Sequence, residues 1–60
     1  MKDSLEYIVQ SWVENLDVEP YEIGIEEATE YATYIRPADT DDIITPEAIM
    51  TIWNRLVNEQ

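Results

Sequence analysis

The strongest constraint on this chain is the spacing of its apolar residues near the start. Leu5, Ile8, Val9, Trp12, Val13 and Leu16 follow one another at intervals of 3, 1, 3, 1 and 3. That rhythm traces one stripe of a 3.6-residue helix and does not fit the alternation of a strand. Asp3 stands where an N-cap belongs, and Glu6 follows three residues later in the manner of a capping box. Tyr7, Gln10, Ser11 and Glu14 fall on the opposite face. The pattern predicts a helix over 4–16.

Two further stripes follow. Tyr21, Ile25, Ala28, Ala32 and Ile35 recur at i+4 and i+3. Pro20 is acceptable at a first helical position, and Arg36-Pro37 ends the pattern because the residue before proline leaves the helical region. Gly24 costs about 1 kcal/mol inside a helix, so the start lies either at Pro20 or near Ile25. The expectation is a helix over 20–35. Thr45-Pro46-Glu47 is a clear start signal, with a capping hydroxyl, a first-turn proline and an acid suited to the helix dipole. Ile49, Ile52, Trp53, Leu56 and Val57 then predict a helix over 46–58. Three amphipathic helices with short connections give an all-α domain, a small three-helix bundle spanning 1–60. Its core is expected around Trp12 and Trp53. Met1 and an ending just past the third helix fit a complete small protein.

Charge narrows function. Fourteen acids face three bases, a formal net charge of −11. A phosphate backbone repels such a surface, so direct nucleic-acid binding is excluded, whereas a basic protein surface attracts it in a salt-dependent way. Cysteine and histidine are both absent. Disulfides, zinc sites, thiol nucleophiles and histidine acid–base catalysis go with them. One glycine gives no phosphate-cradling loop, and three short helices leave no cleft in which paired carboxylates could be desolvated. A non-catalytic protein without cofactor or metal is expected. No apolar run is long enough to span a bilayer and no signal-peptide pattern opens the chain, so the expected setting is cytoplasmic. Asp39-Thr40-Asp41-Asp42 fails as an EF-hand. Counted from Asp39, its fifth, sixth and twelfth places hold Ile43, Ile44 and Met50 where an acid, a glycine and a glutamate belong. The loop reads as a solvated acidic turn ahead of the third helix.

The second predicted helix carries the functional reading. On a helical wheel Glu19, Glu22, Glu26 and Glu30 fall within about 80° of one another, with Glu27 beside them. No lysine or arginine occurs between Lys2 and Arg36. Like charges at i, i+4 destabilise a helix by a few tenths of a kcal/mol each, so stability alone would favour mixed signs. Carboxylates at that spacing rise about 6 Å per step, comparable with phosphates rising about 3.4 Å each along one DNA strand. In charge balance the chain resembles the small acidic DNA-mimic proteins, many of them phage-encoded inhibitors of restriction, CRISPR or polymerase machinery. That resemblance is to a functional class and carries no residue roles.

The candidate partner-binding residues are Glu19, Glu22, Glu26, Glu27, Glu30, Tyr34, Asp39, Asp41 and Asp42. The expected partner is a basic surface on a nucleic-acid-handling protein. The alternative is an interaction or homodimerisation module using an apolar strip of Ile23, Tyr31 and Tyr34. Adaptation to high salt is a third reading. Against it, glutamate outnumbers aspartate nine to five and large apolar residues are plentiful.

Overall fold

The computed structural model describes residues 2–59 and contains three helices: α1, Leu5–Glu14; α2, Ile25–Ala32; and α3, Pro46–Asn58. The described residues form no strand, in keeping with the expected all-α, three-helix class. None of these helices is long and apolar enough to cross a membrane. Met1 and Gln60 lie outside the described residues.

The third helix begins where its local signals put it. The Thr45 side chain accepts a hydrogen bond from the Ala48 N–H at 3.1 Å, and Pro46 occupies the first turn. Its inner face buries Ile49 and Trp53 completely. It lies between the other two helices, packing on both, while α1 and α2 have no close backbone approach to each other. They meet through side chains, the Trp12 and Tyr31 rings lying 5.2 Å apart.

At the start of α1 the expected cap moves by one residue. Ser4, not Asp3, is the N-cap, accepting from the Tyr7 N–H at 3.1 Å. The Leu5 N–H, which no intrahelical carbonyl can satisfy, donates to the Asp42 carboxylate at 2.8 Å. Glu6, freed from a capping box, pairs across with Arg55 of α3. The buried residues Leu5, Val9 and Val13 lie four apart and form the inner edge of the stripe.

The second helix is half the expected length. Pro20–Gly24 is not helical, and the reason is tertiary. The Trp53 indole N–H donates to the Tyr21 carbonyl at 2.7 Å. Asn54 holds Ile23 from both sides, accepting from its N–H at 2.8 Å and donating to its carbonyl at 3.0 Å. Ile23 itself is 4% exposed. Burying such a side chain contributes about 1.5–3 kcal/mol, and three hydrogen bonds to α3 add to it. Winding the helix back through Gly24 offers less, since a glycine there is unfavourable. Tyr21 and Ile25, expected on the core stripe, are consequently exposed. Beyond Ala32 the chain tightens into i→i+3 bonds, Thr33 to Glu30 and Tyr34 to Tyr31, and leaves the helix before Arg36-Pro37.

The core therefore centres on Trp53, and Trp12 is only half-buried. Five aromatic side chains form a connected cluster. Tyr31 lies 4.8 Å from Trp53, 5.2 Å from Trp12 and 6.0 Å from Tyr34, and Trp53 lies 6.2 Å from Tyr21. Tilted and edge-to-face pairs at these distances add about 0.5–1.5 kcal/mol each beyond area burial.

Candidate acidic docking face

Acids and bases are segregated in this molecule. All three bases are committed to acids outside the second helix: Lys2 to Asp41 at 2.9 Å, Arg36 to Asp39 at 3.1 Å, and Arg55 to Glu6 with Glu59 beside it. The stretch from Asp17 to Glu30 contains six acids and no base. Glu26, Glu27 and Glu30 stand on α2 and are exposed, within about one helical turn of one another. Glu26 and Glu27 lie in the first turn, where the helix dipole favours them. That contribution offsets part of their mutual repulsion.

Two of the expected five glutamates are not on the helix. Glu19 and Glu22 precede it, in the non-helical segment, so the three-step ladder of four carboxylates reduces to the single Glu26–Glu30 step. Glu19 is exposed. Glu22 turns toward α3 and accepts from the Asn58 amide at 2.8 Å. The Asp39–Asp42 loop is likewise engaged within the molecule. The Asp39 carboxylate accepts from the Arg36 backbone N–H at 2.9 Å and from its guanidinium. The backbone hydrogen bond first, and the Arg36 guanidinium with it, hold the Asp39 carboxyl below its ordinary value. The Asp3 N–H donates to the Asp39 carbonyl at 3.1 Å, Asp41 pairs with Lys2, and Asp42 caps α1. The loop thus serves to begin the first helix rather than the third.

Tyr34 is 60% exposed, and its hydroxyl donates to Glu30 at 3.3 Å. It forms a wall shared by two surface grooves. One, of about 250 Å³, is lined by Glu27, Glu30, Tyr31 and Tyr34. The other, of about 320 Å³, is lined by Ile8, Trp12, Ile35 and Ala38 together with Asp3 and Asp39, and more of its open surface is polar than apolar. Burial first, then the neighbouring Tyr21 phenol, Glu27 and Tyr34, hold the Tyr31 hydroxyl above its ordinary value. Tyr31 is therefore a neutral phenol at physiological pH.

Sequence patterning assigned Trp12 and Ile8 to the core stripe and missed their part in an open groove. The half-filled stripe gave no local signal, because the groove exists only where α1 meets the turn after α2. The apolar strip expected of Ile23, Tyr31 and Tyr34 does not form, since Ile23 is buried under α3.

No protein-family model, curated protein or solved structure matches this chain.

Proposed function

We propose that the protein is a non-catalytic acidic binding protein that docks on a basic surface of a nucleic-acid-handling protein and occupies the groove that nucleic acid would enter. The observation that supports this reading is the uncompensated charge of the second helix. Glu26, Glu27 and Glu30 are exposed without a basic neighbour, while Lys2, Arg36 and Arg55 are all spent on other acids. In the complex these three carboxylates stand in for phosphates, Glu19 extends the patch, and Tyr34 supplies an aromatic anchor of the kind that carries binding energy in interfaces. Glu22, Asp39, Asp41 and Asp42 contribute to the field rather than to direct contacts, because their carboxylates are held by groups outside the patch, whereas Glu30 accepts only from Tyr34 within it.

The test is capture of partners on the immobilised protein, repeated with excess duplex DNA and with the E26Q/E27Q/E30Q variant. The reading expects a basic nucleic-acid-binding protein that DNA displaces, that the triple variant fails to hold, and that is released as salt rises. A partner retained regardless of DNA, salt and the three substitutions refutes it.

A further inference from the structure

Resting on that reading, we infer that the two grooves beside Tyr34 recognise a specific side-chain pair on the partner, an arginine and a nearby large apolar residue, rather than positive charge at large. The smaller groove joins two carboxylates, Glu27 and Glu30, to two phenol rings, Tyr31 and Tyr34. That combination matches a guanidinium, whose planar fork pairs with carboxylates while its face stacks on an aromatic ring; a lysine ammonium is a compact, strongly hydrated point charge and gains less from either. Arg36, two residues beyond Tyr34, does not line this groove, since its guanidinium is turned to Asp39.

On the other side of the Tyr34 ring the floor changes character. Ile8, Trp12, Ile35 and Ala38 offer an apolar patch for contact, set between Asp3 and Asp39 in a groove whose open surface is more polar than apolar. The two grooves are at or below the lower end of the ~300–1,000 Å³ typical of small-molecule sites, which suits one side chain in each. The wall between them is supported from one side. Tyr31 meets Tyr34 edge-on at 84° and is itself packed against Trp12 and Trp53, so the Tyr31 side of the wall needs little ordering on binding.

The probe is a blocked peptide, acetyl-Gly-Arg-Gly-Leu-Gly-amide, whose arginine and leucine share one face when extended. It is titrated into the 15N-labelled protein and followed by two-dimensional NMR, alongside versions carrying lysine or citrulline in place of arginine. The arginine peptide is expected to shift Glu27, Glu30, Tyr31 and Tyr34 together with Ile8 and the Trp12 indole. Citrulline, which keeps the shape and loses the charge, should bind about tenfold more weakly, and lysine several-fold more weakly. Y34A should abolish the shifts, whereas Y34F, which keeps the ring wall, should bind within about twofold of wild type.

Equal binding of the arginine and lysine peptides, shifts spread over Glu19 and Glu22, or no shifts at all overturn the inference. Those results leave DNA-displaced capture untouched, so the broader reading stands or falls on its own experiment. Peptide binding in the expected pattern without any DNA-displaced partner would support the grooves while removing the nucleic-acid-handling target.

Discussion

Replacing Asn54 with alanine tests the account of why the second helix is short. Asn54 satisfies both the N–H and the carbonyl of Ile23, at 2.8 and 3.0 Å. Each such bond contributes about 0.5–1.5 kcal/mol net, and leaving partly buried groups unpaired costs more, so the expected loss is about 2–3 kcal/mol. A domain of this length has a total stability of about 3–9 kcal/mol. Asn54→Ala should therefore lower Tm by about 10–20 °C in thermal unfolding followed by far-ultraviolet circular dichroism. Asn54→Asp sharpens the test. The acid keeps an acceptor for the Ile23 N–H but sets a carboxylate oxygen against the Ile23 carbonyl. At pH 7 it should be at least as destabilised as the alanine variant. It should recover as pH falls toward about 3.9, where a protonated carboxyl can again donate. A loss below about 0.5 kcal/mol for the alanine variant, or a gain in helical signal with little loss, would refute the reasoning. Either would mean that Pro20–Gly24 is not held by α3 and joins the helix when released.

Three other outcomes follow from the geometry. Asp42→Ala removes the carboxylate that caps the Leu5 N–H and should cost about 1–2 kcal/mol in urea unfolding, with Asp42→Asn recovering part of it. Because the Asp39 carboxyl is held below its unfolded value, its stabilising contribution is present above the ordinary carboxylate range and is lost as pH falls through the folded value. Asp39→Asn should therefore flatten the acid limb of the stability–pH profile below about pH 4 and leave its shape near neutrality unchanged. E26Q/E27Q/E30Q removes three like charges from one helix and should raise Tm by a few degrees at low ionic strength, a gain that shrinks in 0.5 M NaCl as screening takes over.

The sequence was most legible where the deciding chemistry is local. Thr45 and Pro46 act on the turn they begin, and the third helix runs from Pro46 to Asn58 as those signals imply. Asp3 and Ser4 are both good caps, and the choice between them is made by Asp42, 37 residues beyond Leu5. The second helix was misread for the same reason on a larger scale. Its stripe is genuine over Ala28 and Ala32, but Tyr21 and Ile23 answer to Trp53 and Asn54, whose pull has no trace in the local spacing. The exposed carboxylates of Glu26, Glu27 and Glu30 were legible from period and charge alone. The larger groove was not, because it joins Ile8 and Trp12 of α1 to Ile35 and Ala38 after α2, and a periodicity reading treats each helix by itself.

The order of the elements along the chain has a consequence for biosynthesis. Of the three helices, the one that both others lean on comes after them in the chain, and α1 and α2 make no close backbone approach to each other. Helices of 10 and 8 residues are too short to persist alone in water, where about 12–15 residues are marginal even for favourable sequences. On the ribosome the first two segments therefore emerge as solvated, strongly anionic coil, with Leu5, Val9 and Val13 lacking the surface they will cover. Stable helix in both segments is therefore expected only once the segment carrying Trp53 is available to pack against them.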